Sequence, residues 1–324
     1  PQKPPLGPQL LRLSRAAGAP LRKPAAPIFG RRRFVVPAFA MLVLFWGSAF
    51  AAVKVGLDYS PPLLFAGMRS FVGGLTITAV ALTWGGRPKL GRDWGVFALL
   101  SLLNVVLFLG LQTFAVMLLP SGTAAVVIYL QPILIGVLAW FVLGEPLSAG
   151  KMLGLLLGFA GIVAVSSAGF SGEISAAGVA FAVASALSWA LGTVYFKKVQ
   201  DRVSMLWAIA LPFLSGGILL SILGLVTERP AEISWSGPYI ASLLYSGLVG
   251  TGLAWVLWLG LVRAGEASRV AAYVFFVPLV SVMTGAVFLD ERLGLSLLVG
   301  AALVVSGIYL ANRTPGEEQE TAEP

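Results

Sequence analysis

The chain has 324 residues, 58% of them hydrophobic and 11% charged, against roughly 25% charged in an ordinary soluble domain, so a water-soluble fold could not hide its apolar surface. The absence of cysteine and histidine excludes disulfide and thiol chemistry and removes the commonest metal ligand and near-neutral proton carrier, so neither metal nor cofactor is expected. The net charge of +8 does not mark a nucleic-acid binder: Lys3, Arg12, Arg15, Arg22, Lys23 and Arg31 to Arg33 crowd one end, and most other basic residues fall in short loops.

Residues 1–33 are rich in Pro, Arg and Lys, contain no acid and show no apolar period, the composition of a disordered basic tail. Apolar runs then follow at 34–56, 63–84, 95–118, 121–142, 152–168, 175–196, 204–226, 238–262, 268–288 and 295–312. Each is close to the length that crosses a hydrocarbon core of roughly 30 Å as a helix. The tightest connection leaves only Leu119, Pro120, Ser121 and Gly122 to turn the chain. Residues 313–324, with Glu317, Glu318, Glu320 and Glu323, read as an acidic disordered end.

With the N-terminus inside, the tail and Arg87, Lys89, Arg92, Lys151, Lys197, Lys198, Arg202, Arg263, Arg269 and Arg313 share one side. Only Lys54, Arg229 and Arg292 fall on the other, and Arg69 lies within a span. This positive-inside bias predicts cytoplasmic termini in a cell membrane.

Sliding the chain on itself by 146 residues brings Pro132 onto Pro278, Glu145 onto Glu291, Gly154 onto Gly300 and Gly161 onto Gly307. The same shift lays Leu143-Gly-Glu-Pro-Leu147 on Leu289-Asp-Glu-Arg-Leu293. At an offset of 143, Trp46 meets Trp189, Lys54 meets Lys197, and Gly73 and Gly74 meet Gly216 and Gly217. The expected architecture is all-α: ten transmembrane helices as two inverted five-helix repeats, 34–168 and 175–312. A five-helix copy must cross in the opposite sense, the plan of many secondary transporters.

Several motifs together resemble the EamA-type branch of the drug/metabolite transporter superfamily. They are Trp46-Gly-Ser48, Pro61-Pro-Leu-Leu-Phe-Ala-Gly-Met-Arg69, Pro132 followed by Leu-Gly-Glu and a Gly-rich fifth span, and the echo from Pro278 through Leu289–Leu293. The resemblance covers residues 36–312. It implies a permease, commonly an exporter, of amino acids, metabolites or drug-like compounds. With the symmetry, it places a central cavity among spans 1, 3, 4, 6, 8 and 9.

Pro132 and Pro278 sit mid-span, where proline frees backbone carbonyls, and are candidate hinges. Arg69, about 9 Å from its helix end at 1.5 Å per residue, either receives an anionic group or snorkels outward. Asn104, Gln112, Tyr129 and Gln131 are costly in lipid and should face inward, toward helix neighbours or solute. Trp46, Ser48, Trp189, Thr193, Trp255, Trp258, Tyr273 and Phe276 complete the candidate lining, the aromatics serving either packing or a cavity wall.

No nucleotide loop or nucleophile–base pair is visible, so no enzyme is expected. The expected partners are a small-molecule substrate and membrane lipid, not nucleic acid, with the chain a homodimer or otherwise a monomer. A passive channel is one alternative. A sugar-phosphate or nucleotide-sugar permease is another, but would want several cavity cations where Arg69 stands alone.

Overall fold

A computed structural model describes residues 32–88, 90–119, 121–166, 175–280, 283 and 295–313. The basic tail through residue 31, Pro120, the Leu289–Leu293 echo with Glu291, and the acidic end after 313 lie outside the described residues.

The described residues are helical, with no strand among them. In chain order they form α1 (Arg32–Leu57), α2 (Pro62–Trp84), α3 (Leu90–Leu118), α4 (Ser121–Ile128), α5 (Gln131–Leu143) and α6 (Ala149–Ser166). There follow α7 (Ala176–Val199), α8 (Trp207–Thr227), α9 (Gly237–Ala264), α10 (Ala267–Val280) and α11 (Leu295–Asn312). Seven helical stretches are long and apolar enough to cross a membrane, and Ala149–Val165, Ala267–Val280 and Ser296–Asn312 are shorter apolar helices. Large apolar side chains such as Leu82, Phe141 and Val226 are exposed on the outside, as a lipid solvent allows.

Local chemistry sets the ends. Pro62 opens α2 at its first helical position, where its missing N–H costs nothing. Gly144 closes α5 in the left-handed conformation, φ 68°, and Ser175 and Ser236 cap α7 and α9 through Gly178 and Tyr239 N–H. The third span begins at Leu90 rather than 95, because Asp93 and Arg92 are held at its start by Arg202.

Four spans depart from regular helix, in pairs that the repeat relates. The fourth span is broken at Tyr129 and Leu130, so Pro132 lies in the first turn of α5 instead of kinking a continuous helix. Its mate α10 tightens into a 3₁₀ turn at Tyr273–Phe275, just before Pro278. Likewise α3 widens into a π turn over Leu102–Leu107, and α9 over Ser246–Leu253.

The closest packing joins α2 to α8 and α6 to α11. A methyl group on Gly74 would meet the Leu214 backbone N at 2.6 Å, and one on Gly217 the Phe71 backbone N at 2.6 Å. An offset of 143 carries the first contact onto the second. Gly154 faces the Gly307 carbonyl, and Gly161 the Gly300 carbonyl, with corresponding distances of 2.6 and 2.7 Å; an offset of 146 exchanges these two. Only glycine lets the helix backbones approach so closely.

Candidate functional site

Trp46 and Trp189 lie near the middle of α1 and α7, and helix periodicity turns both toward α9. Their ring centroids are 5.3 Å apart, edge to face. Trp258 stands 5.7 Å from Trp46 and 5.8 Å from Trp189, and Trp255 6.3 Å from Trp46. Two residues absent from the sequence-based candidates complete the cluster: Phe108 stacks on Trp189 at 4.7 Å, and Phe213 meets Trp255 at 4.9 Å. The tryptophans therefore pack against one another, the first of the two roles, packing or cavity wall, that the sequence left open for them. Edge-to-face and offset contacts at these distances are the favoured aromatic geometries.

The π turns supply carbonyls to this region. The Trp46 indole donates to the Gly250 carbonyl at 3.1 Å, and the Ser188 hydroxyl to the Leu103 carbonyl at 2.8 Å. Asn104, within the α3 π turn and one turn before Phe108, packs directly on Gly192 of α7.

Among the described residues, buried polar atoms without a partner concentrate here: Asn104 Oδ1, Trp189 Nε1, Thr193 Oγ1 and Trp258 Nε1, with Ser185 Oγ one turn from Trp189. Both polar atoms of the Gln131 amide, at the broken fourth span, are also buried and unpartnered. Unpaired buried polar groups are uncommon and call for a reason. Donors and acceptors beside a large aromatic surface are what an amphipathic organic solute would satisfy.

Arg69 is 8% exposed, and its Nη2 donates to Gln112 Oε1 at 3.4 Å, while its Nε has no partner. It points into the bundle, so the outward-snorkelling alternative does not describe it. Tyr129 and Gln131 are buried. The Ser48 hydroxyl is already engaged, donating to the Leu44 carbonyl at 2.6 Å or pairing with the Tyr245 hydroxyl at 2.7 Å. Tyr273 stacks on Phe39 at 4.1 Å, apart from the tryptophan rings, and Phe276 is half-buried against the core.

Charged side chains that sequence reasoning used for topology or for the repeat, or passed over, organise the two ends. At one face Glu145 accepts from the Ala267 and Ser268 N–H groups at 2.7 and 3.1 Å and from the Ser268 hydroxyl at 2.6 Å. Lys197 donates to the Val262 and Gly265 carbonyls at 2.8 and 2.7 Å, covering the end of α9. At the opposite face Glu228 accepts from Leu63 and Leu64 N–H at 2.8 and 2.9 Å, and Ser234 N–H reaches the Tyr59 carbonyl at 2.8 Å. A carboxylate at a helix N-terminus meets both unsatisfied donors and the positive dipole end. Equivalence of Glu145 with Glu291 was the one advance signal, and it did not say which helix the carboxylate would cap.

The geometry is that of a multi-pass helical membrane protein with a buried aromatic and polar centre, and the comparisons with known proteins identify the class as a membrane transporter. Residues 34–167 and 176–313 match the EamA-like transporter family. The uncharacterized transporter YvbV of Bacillus subtilis is 44% identical over 283 residues, 87% of this chain and 92% of its own. A "probable amino-acid metabolite efflux pump" of Salmonella typhimurium is 31% identical over 287 residues, 83% of this chain and 92% of its own. A solved crystal structure shares the fold with a TM-score of 0.76 at 21% identity, covering 90% of this chain and all of the other. The chain belongs to the EamA-like transporter family and is an EamA-type permease of the drug/metabolite transporter superfamily.

Proposed function

We propose that this permease is a secondary transporter that exports small organic solutes, such as amino acids, metabolites or drug-like compounds, by alternating access between two inverted five-helix repeats. The observation that carries the reading is the set of buried, unpartnered polar atoms beside the aromatic cluster. Asn104, Trp46 and Phe108 come from residues 34–168, and Trp189, Thr193 and Trp258 from 175–312, so a solute held there would touch both halves. The reciprocal glycine contacts of α2 with α8 and of α6 with α11 are what a two-fold relation between the halves requires, and they support ten spans over seven. The basic-residue bias supports cytoplasmic termini in the cell membrane. The name of the Salmonella relative supports an amino-acid-related solute.

In this reading Asn104, Gln131, Thr193, Trp189 and Trp258 bind the solute, and Arg69 with Gln112 receives an anionic group. The break before Pro132 and the 3₁₀ turn before Pro278 let one half rock against the other. Because Ser48 and Tyr273 already have partners, their contribution is support of neighbouring helices.

The test is counterflow in liposomes carrying purified protein, with labelled amino acids and small metabolites, and Trp189→Ala and Arg69→Ala alongside. Saturable uptake driven by unlabelled solute inside, weakened in folded variants, is expected. Flux that neither saturates nor exchanges would replace the carrier by a channel.

A further inference from the structure

One ionic cluster is not absorbed by the solute site. Between α5 and α6, Glu145 is 8% exposed and spends both carboxylate oxygens on the first turn of α10. Lys151, in the first turn of α6 and 3% exposed, donates to Glu266 Oε2 at 2.7 Å and to the Ser268 hydroxyl at 3.1 Å. Arg269 adds a second ion pair to Glu266 at 3.0 Å. The contacts run between the halves: Glu145 and Lys151 belong to the first, and Glu266, Ser268 and Arg269 to the second. A recess of about 620 Å³ opens on the same face, bordered by Leu143, Glu145, Lys198, Gly265 and Glu266.

The repeat shows that this cluster is not simply inherited with the fold. The offset of 146 that carries Glu145 onto Glu291 places Leu297 at the position of Lys151, Pro120 at that of Glu266 and Gly122 at that of Ser268. The lysine–carboxylate pair between the halves therefore has no counterpart at the positions that the repeat relates to it. We infer that Glu145, Lys151, Glu266 and Ser268 form a latch that closes the Lys197-bearing face, the solute's way in for an exporter, and that this latch opens in each transport cycle. This rests on the alternating-access reading above.

The chemistry suits a gate. Closed, each charge has a partner; open, each is reached by water from the recess, so neither state strands an ion in apolar surroundings. A partly buried pair of this kind, with Lys151 enclosed and Glu266 one-third exposed, contributes little net stability while fixing one geometry, and a gate needs two states of comparable free energy.

The chain contains no cysteine, so single cysteines report without background. Thr193→Cys places a thiol one helical turn deeper than Lys197, and a membrane-impermeant maleimide is applied from the latch face in liposomes of sorted orientation. Labelling is expected about tenfold faster when Lys151→Met or Glu266→Gln removes one charged partner, and near the parent rate with Lys151→Arg. Unchanged labelling in both neutral variants, when folded, would overturn the latch. A second measurement stands if those variants fail to fold. Lys151→Cys with Glu266→Cys is bridged by a short bis-thiosulfonate, and counterflow should stop and return on reduction. Full transport with the bridge in place would overturn the proposal. A parent protein that moves no solute would instead remove the transporter reading, while the labelling rates still decide whether the latch closes the face.

Discussion

The α2–α8 pair and the interrupted spans, α4 with α5 and α10, use glycine and proline to opposite ends. In the pair, glycines at 67, 74, 217 and 224 bring two helices into backbone contact, and both ends are tied: Glu228 holds the start of α2, and the Trp207 indole donates to the Gly86 carbonyl at 2.7 Å beyond its end. In the interrupted spans, Pro132 follows a break at Tyr129 and Leu130 that leaves two short segments where one helix could have run, and Pro278 follows a 3₁₀ turn at Tyr273–Phe275 that tightens its helix without ending it. Close packing without side-chain freedom makes a frame, whereas a broken hydrogen-bond ladder makes a place to bend. The lesson is that helix-breaking residues in a membrane protein cannot be assigned to rigidity or motion without knowing what faces them.

The widest separation of the two regions should come from exchanging their residues. Gly217→Val forces a branched side chain into the Phe71 backbone and should cost about 3 kcal/mol, the upper end for overpacking, seen as a lower thermal unfolding temperature in detergent. Pro132→Ala should move stability by under about 1 kcal/mol, since it restores an N–H that the Ile128 carbonyl can accept, yet slow counterflow by closing the break. Equal unfolding shifts in the two variants would erase the distinction. A smaller effect tests whether the ends of the frame matter: Glu228→Gln keeps the shape but weakens two charge-assisted contacts, and about 1.5 kcal/mol should be lost. The smallest concerns Arg69 and Gln112, which meet at 3.4 Å between the frame and the part of α3 beyond its π turn. A double-mutant cycle with Arg69→Met and Gln112→Leu should give a coupling of about 0.5 kcal/mol in unfolding, as a long contact warrants, and a larger loss in counterflow.

Much of the fold was legible because lipid leaves the chain few choices. Runs of roughly twenty apolar residues mark spans whatever packs on them, and the pairing of Gly154 with Gly300 and of Gly161 with Gly307 in the repeat was visible before their contacts were known. The candidate site was legible only by residue type. Trp46, Trp189, Trp255 and Trp258 do converge, but Phe108 and Phe213 carry no mark that separates them from lipid-facing phenylalanines. That Ser48 would be consumed by Tyr245, 197 positions away, depends on helix neighbours and not on local pattern. The π turns were invisible for the same reason: nothing in Leu102–Leu107 marks a widened turn, and Gly247, Gly250 and Gly252 weaken a regular helix over Ser246–Leu253 without saying that a π turn replaces it.

Those π turns have a consequence for how the molecule can change over time. Each is in effect a single inserted residue that a helix absorbs without breaking, and one residue corresponds to about 100° of rotation. The part of α3 that carries Asp93 and the part that carries Gln112 are therefore two registers joined in line. Substitutions on one side of Leu102–Leu107 can be tried out by selection without re-aiming the side chains on the other, so the end of the helix that holds the scaffold and the end that we propose meets the solute are free to diverge separately.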